Sequence, residues 1–193
     1  MAASILEIDG IEYLPEFLSP SESIKMFSVL QKQLAWAEES IKIYGKPVKV
    51  PRLVCWYGDD NVKYRYSGVD HVSLSWTREL LDIKQRIEQY TNQQFNSVLG
   101  NYYRNENDSM GWHSDNEREL GSNPCIASIS LGQERLFRIR HKKSRVTHET
   151  TLTNGSLLLM SGNFQNEWQH CIPKLKAAQK PRINLTYRFV VTR

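Results

Sequence analysis

Two histidines and one carboxylate are the first residues here whose types suggest chemistry. His113 and Asp115 are separated only by Ser114, and His170 follows far downstream. Two imidazoles and one carboxylate can hold one face of Fe(II) and leave the opposite face open. On an extended chain alternate side chains share a face, so His113 and Asp115 point at one ion while Ser114 points away. The third ligand must arrive from another strand, which is why it can lie so far off. An open metal face suits a reaction in which a cosubstrate and O2 both reach the ion.

A dicarboxylate cosubstrate needs a cationic anchor, and Arg182-Ile-Asn-Leu-Thr-Tyr-Arg188 offers two. On an unbroken strand Arg182, Asn184, Thr186 and Arg188 all face one side. A guanidinium holds a carboxylate with two parallel hydrogen bonds and keeps its charge when buried. Asn101 and Tyr103 share the phase of an earlier strand and could add neutral hydrogen bonds. The whole set reads as Fe(II) plus 2-oxoglutarate. Each fragment alone is ordinary: a His-x-Asp pair is common, a lone histidine more often serves a core, and two arginines can salt-bridge at a sheet edge. Their order and shared strand phases join them.

These residues need a scaffold, and the chain can build one. With 193 residues and 40% hydrophobic content it is expected to form a single globular domain over 1–193. A formal charge of +4 is too modest for a histone-like binder but adequate for one basic groove. Cys55, Cys125 and Cys171 have neither disulfide-framework nor zinc-knuckle spacing, so free thiols are expected. No apolar run reaches membrane-spanning length, and acidic residues interrupt the first residues where a signal peptide would stay apolar. An intracellular monomer with no membrane partner is the expectation.

Ser19-Pro-Ser-Glu22 carries a capping box and opens a helix over Pro20–Leu34, with Ile24, Phe27, Leu30 and Leu34 as its core stripe. Thr77-Arg-Glu79 opens a second over Thr77–Tyr90, with Leu80, Ile83, Ile87 and Tyr90 buried. Between them, Trp36 to Trp56 reads as a β-hairpin turning at Gly45, with Ile43 and Tyr44 near its tip. Those two residues could pack on their own domain or face a ligand. Tyr64 and Tyr66 share one strand face, as core residues or as stacking platforms for bases. From Phe95 onward, short strands and regular turns, one at Gly132, fit a mainly β fold with α+β elements. That fold is a double-stranded β-helix, or jelly roll, with two buttressing helices. Asn163 to Trp168 is expected as a loop, and Arg182 to Val191 as the last long strand. Between Arg135 and Arg145, six lysines and arginines (Arg135, Arg138, Arg140, Lys142, Lys143 and Arg145) form either a solvated face or a set of phosphate contacts.

Three runs narrow the reading: His113-Ser-Asp-Asn-Glu-Arg-Glu-Leu120, Pro124-Cys-Ile-Ala-Ser-Ile-Ser-Leu-Gly132 and Pro181-Arg-Ile-Asn-Leu-Thr-Tyr-Arg188. Through them the chain resembles the AlkB family of DNA dealkylating dioxygenases, and more narrowly the branch acting on duplex and single-stranded DNA. The resemblance runs from about Leu14 to the C-terminus. It implies a catalytic jelly-roll core over 95–193 and nucleotide-recognition hairpins over 40–68. It implies Fe(II) on His113, Asp115 and His170, with 2-oxoglutarate's distal carboxylate on Arg182 and its chelating end near Arg188. Asn101 and Tyr103 complete the cosubstrate's hydrogen bonds. Ile43 and Tyr44 match the wedge that fills the gap left by a flipped base, and Arg52 matches a residue that helps hold the opened DNA. Tyr64-Arg-Tyr-Ser-Gly68 matches the segment lining the lesion pocket. Glu117 matches the carboxylate facing the cationic base, and Arg138 a residue framing the pocket.

The implied activity is DNA repair by O2-dependent oxidative demethylation of 1-methyladenine and 3-methylcytosine. It releases formaldehyde, succinate and CO2, with ascorbate as the reductant in vitro. The lysines from Lys174 to Lys180 are a thinner version of the cluster that grips the opposite strand in the duplex-active branch. That thinness puts strict duplex preference in doubt. The alternatives are a same-fold oxygenase acting on RNA or another methylated substrate, and a nucleic-acid-binding β-barrel without catalysis.

Overall fold

The computed structural model describes residues 8–43, 46–60, 62–66, 69–177 and 179–191, with backbone alone at 41–43, 63–66 and 69–72. Its largest element is a seven-stranded antiparallel sheet, in the order β1-β11-β8-β13-β6-β3-β2. These strands are β1 (Ile11–Leu14), β2 (Ala37–Ile43), β3 (Lys46–Gly58), β6 (Ser97–Tyr103), β8 (Ile126–Gly132), β11 (Leu157–Met160) and β13 (Arg182–Arg188). A four-stranded antiparallel sheet in the order β10-β9-β12-β7 faces it, from β7 (Met110–His113), β9 (Arg135–His141), β10 (Thr147–Leu152) and β12 (Trp168–Ile172). Leu99, Tyr103 and Met160 of the first sheet pack with Phe137, Ile139 and Ile172 of the second. Two facing sheets with helices on one flank make the jelly roll that the strand pattern implies.

The two helices cover the far side of the large sheet. Helix α1 (Pro20–Gln33) begins at Ser19, which accepts from the Glu22 amide while the Glu22 carboxylate accepts from Ser19, the capping box expected. Helix α2 (Arg78–Thr91) is capped by Thr77 and stopped by Asn92 at φ 53°. Leu30, Leu80, Ile83 and Ile87 join Ile129, Ile183, Leu185 and Tyr187 in a second core. Two expected core residues lie elsewhere. Ile24 is 65% exposed, because the buried stripe runs Ser23, Leu30, Leu34 and Ser23 takes the inward position. Tyr90 is 47% exposed and gives its hydroxyl to Glu12.

Strand β13 lies between β6 and β8 and has every residue buried. Its outer phase, Ile183, Leu185 and Tyr187, lies under the helices, and the Tyr187 hydroxyl donates to the Leu80 carbonyl at 2.9 Å. Its inner phase is the polar set Arg182, Asn184, Thr186 and Arg188. An antiparallel sheet usually turns its polar residues to water, so a polar phase turned inward marks a site. The strand stops at Arg188, short of Val191, because the Asn96 side chain bonds the Val190 amide and carbonyl at 2.7 and 2.8 Å.

The hairpin of β2 and β3 is present, with Ile43 paired to Lys46; Tyr44 lies outside the described residues. A two-stranded ladder of β4 (Lys63–Tyr66) and β5 (Val69–Val72) carries Tyr64 and Tyr66. The stretch before β12, expected as a loop, contains the short helix α3 (Phe164–Glu167). All three cysteines are free. Among the described residues no helix is long and apolar enough to cross a membrane.

Candidate active site

Strand pairing assembles the proposed metal ligands. His113 ends β7 and lies directly across from His170 on β12, with ring centroids 4.1 Å apart. Asp115, two residues past the end of β7, is 2% exposed, and its Oδ2 lies 4.0 Å from His170 Nε2. One ligand atom from each of the three residues falls within 4.8 Å of the others. A divalent first-row ion takes nitrogen and oxygen ligands at about 2.0–2.2 Å, so a small inward movement lets all three reach one ion. His113 Nδ1 lies 2.9 Å from the Gly111 carbonyl. A proton held there leaves Nε2 with its lone pair for a metal.

The protonation states suit the role. Burial would raise the Asp115 carboxyl, but Arg188, His170 and His113 outweigh it and hold it at about 2. Arg188 Nη2 donates to Asp115 Oδ1 at 2.7 Å with both side chains 2% exposed. Burial pushes His170 down to about 3, with His113 beside it adding to the effect, and burial lowers His113 as well. At neutral pH the site therefore presents one carboxylate and two neutral imidazoles, the forms that bind metal.

The residues expected to bind the cosubstrate are brought together by the register of β13 and β6, which sets Arg182 opposite Tyr103 and Asn184 opposite Asn101. Arg182 is 1% exposed; Nη2 donates to Ser130 Oγ at 2.9 Å and the Tyr103 side chain favours its charge, while among the described residues Nε and Nη1 meet no acceptor in good hydrogen-bond geometry. Its guanidinium lies 5.2 Å from the Tyr103 ring centre. Burial pulls its pKa down to about 10, so it remains a cation at neutral pH. Asn184 donates to Ser128 Oγ at 2.7 Å and to the Ile129 carbonyl, and its Oδ1 accepts from Thr186 at 3.0 Å. One cavity is lined by the three candidate ligands together with Asn101, Tyr103, Asn184, Thr186 and both arginines. A buried guanidinium with idle donors beside a metal-ligand cluster is an anion site, and its donor set fits a carboxylate.

The expected nucleic-acid residues fall in different places. Arg52 is 4% exposed and donates from Nε to Asn101 Oδ1 at 2.7 Å, so it lies inside, against β6. Arg138 does not line the cavity. Inward positions on β9 belong to Phe137 and Ile139, so Arg138 points outward and pairs with Glu149 at 2.9 Å. Glu117 is half-buried at the start of a single helical turn, Arg118–Leu120. The side chains of Ile43, Tyr64 and Tyr66, like the whole of Tyr44, lie outside the described residues.

The expected basic face is thinner than its composition. Arg135 is 1% exposed and donates to the carbonyls of Asn105, Asp108 and Pro173. Arg140 lies 4.3 Å from the Trp112 ring centre, and Lys142 Nζ donates to the Gln165 carbonyl. Lys143 and Arg145 are exposed.

Several working residues escape a reading of motifs. Ser128 and Ser130 support Asn184 and Arg182 from β8; their alternation within an apolar strand was a legible signal. Gln165, which accepts from the Asp115 amide, carried none.

The family model "2OG-Fe(II) oxygenase superfamily" matches residues 10–188. Bovine "Alpha-ketoglutarate-dependent dioxygenase alkB homolog 3" is 38% identical over 186 residues, covering 91% of this chain and 64% of that protein. Human "DNA oxidative demethylase ALKBH2" is 35% identical over 182 residues, covering 89% and 70%. The chain thus spans less than two-thirds of the length of its alkB homolog 3 relative. Among solved structures, OsALKBH1 superimposes with a TM-score of 0.65 at 17% identity, over 93% of this chain and 97% of that one, a likeness of fold.

Proposed function

The chain belongs to the AlkB family within the 2OG-Fe(II) oxygenase superfamily, and from that premise we propose that it demethylates alkylated bases in DNA, 1-methyladenine and 3-methylcytosine foremost. The observation that carries this reading is a single cavity holding both the His-Asp-His cluster and a buried arginine with idle donors. His113, Asp115 and His170 would hold Fe(II); Arg182, Asn184, Asn101 and Tyr103 would hold 2-oxoglutarate. Iron with that cosubstrate would supply O2 activation, one oxygen atom going to the N-methyl group, whose hydroxymethyl product leaves as formaldehyde, and the other to 2-oxoglutarate, which would be oxidised to succinate and CO2.

The protein's own part is positional and electrostatic. Arg188 keeps Asp115 ionised and oriented. Burial keeps His113 and His170 neutral and ready to ligate. Arg182 neutralises a carboxylate that would otherwise be costly to bury, and Asn184 is fixed for its task by Ser128 and Ile129. Phe137, Met110 and Ile172 line the same cavity and limit water.

A base must leave the stack to reach such a site, and a lesion that has lost its pairing leaves more cheaply. In this proposal Ile43 and Tyr44 fill the gap in the stack, Tyr64 and Tyr66 stack on the flipped base, and Glu117 faces its positive charge. The name of the ALKBH2 relatives, DNA oxidative demethylase, supports the DNA assignment. An intracellular monomer acting on single-stranded or duplex DNA completes the proposal.

The test is formaldehyde release from matched methylated oligonucleotides as single-stranded DNA, duplex DNA and RNA. Each is supplied with Fe(II), ascorbate and 2-oxoglutarate, beside a His113→Ala control. Turnover on DNA that vanishes with His113→Ala supports the proposal, and turnover confined to RNA refutes the DNA assignment.

A further inference from the structure

Asp115 is held at both ends. Its carboxylate accepts from Arg188, but its backbone N–H is also buried and lies beyond the last ladder pair of β7, where no strand serves it. Gln165 serves it instead. This side chain is 1% exposed, and its Oε1 accepts from the Asp115 amide at 2.9 Å across fifty positions of sequence. Among the described residues the other end of the Gln165 amide finds only the Met160 sulfur, at 3.6 Å, a weak acceptor. Its one strong side-chain bond is thus the one to the metal ligand's backbone. Next to it, Ser114 Oγ donates to the Trp168 carbonyl at 2.7 Å. Two adjoining residues of the His113–Asp115 run are therefore tied to the segment that leads into His170.

The segment that carries Gln165 is a four-residue helix, α3, with little stability of its own. It is anchored from outside. Lys142, just past the end of β9, donates its ammonium to the Gln165 carbonyl at 2.8 Å and its amide N–H to the Glu167 carbonyl at 2.8 Å. These carbonyls at the end of α3 have no intrahelical partner, and a cation there is favourably placed. The chain of contacts runs from Lys142 through α3 to the Asp115 backbone.

We infer that Gln165 is a positioning residue for the metal centre: through the Asp115 amide it fixes the loop that presents the carboxylate ligand, with Lys142 holding Gln165 in place. The inference rests on reading His113, Asp115 and His170 as metal ligands. A partner that orients a ligand without touching the ion is worth about 10–100-fold in metal affinity when removed. Gln165→Met keeps the side chain's length and volume but offers the Asp115 amide no oxygen, so packing survives while orientation is lost.

The experiment is titration of the metal-free protein with Mn(II), followed by tryptophan fluorescence, for the wild type and Gln165→Met. The melting temperature of each metal-free protein is measured alongside. The expected result is Mn(II) affinity about 10–100-fold weaker in Gln165→Met, with metal-free melting temperatures within a few degrees. Its 2-oxoglutarate affinity at saturating Mn(II) stays unchanged, since Arg182 and Asn184 are untouched. Equal Mn(II) affinity in the two proteins overturns the inference. A wild type that binds no Mn(II) refutes the metal-site reading itself, a distinguishable failure. Should Gln165→Met not fold, Lys142→Met decides: several-fold weaker Mn(II) binding supports the clamp, and unchanged binding overturns it.

Discussion

Replacing Arg182 with methionine should separate binding from stability. Arg182 is 1% exposed, and among the described residues two of its nitrogens meet no acceptor in good hydrogen-bond geometry. Burial lowers its pKa from 12.5 to about 10. At about 1.36 kcal/mol for each pH unit, holding that charge in the ligand-free fold costs roughly 3 kcal/mol. Among the described residues the Ser130 hydroxyl and the Tyr103 side chain favour the cation, but burial outweighs them. Methionine fills much of the same space without the charge. The ligand-free Arg182→Met protein should therefore melt no lower than the wild type, and up to several degrees higher, since about 1 kcal/mol moves a domain of this size by about 2–4 °C. Binding of 2-oxoglutarate should move the other way. Removing one partner of a buried, hydrogen-bonded charge pair costs about 2–5 kcal/mol, or roughly 30-fold to several thousandfold in affinity. Calorimetric titration with 2-oxoglutarate in the presence of Mn(II), beside a thermal melt, reads both quantities. Undiminished 2-oxoglutarate affinity would show that Arg182 is not the anchor. A large loss of stability would show that its charge is structural, and the reasoning from idle donors would fail.

Acid should destabilise the metal-free protein through its imidazoles. His113 and His170 are held below the ordinary 6.5, His170 at about 3, so the unfolded chain binds protons that the folded chain refuses. Their contribution is complete above about pH 6.5 and drains away as pH falls toward 3; Asp115, held at about 2 against 3.8, adds its loss only below pH 4. Melting temperature should fall between pH 7.5 and 5, less steeply in His170→Gln, and a level profile would count against buried neutral imidazoles. On α1, Ile24→Ser should be nearly neutral to stability, whereas Leu30→Ala should cost about 2–5 kcal/mol by urea denaturation. Equal costs would contradict the observed face of the helix.

Short-range chemistry made much of this protein readable from sequence alone. The capping box at Ser19, the Thr77 cap and the turn at Gly132 depend on residues close together in the chain, and both helices and the jelly-roll strands follow from them. The phase of Arg182, Asn184, Thr186 and Arg188 was equally legible, since alternation belongs to any strand. Which way that phase turned was a matter of tertiary structure. It depends on β13 lying between β6 and β8 with helices over its apolar side, so the polar side meets the cavity. The same holds for single cations. A run of arginines looks alike on paper, yet Arg135 is sealed in the core, Arg138 faces out to Glu149 and Arg52 reaches Asn101, because burial is decided by neighbours remote in sequence. Gln165 is the sharpest case. No local pattern marks a glutamine whose partner is a backbone N–H fifty residues earlier, and only the folded chain brings that donor and acceptor within reach.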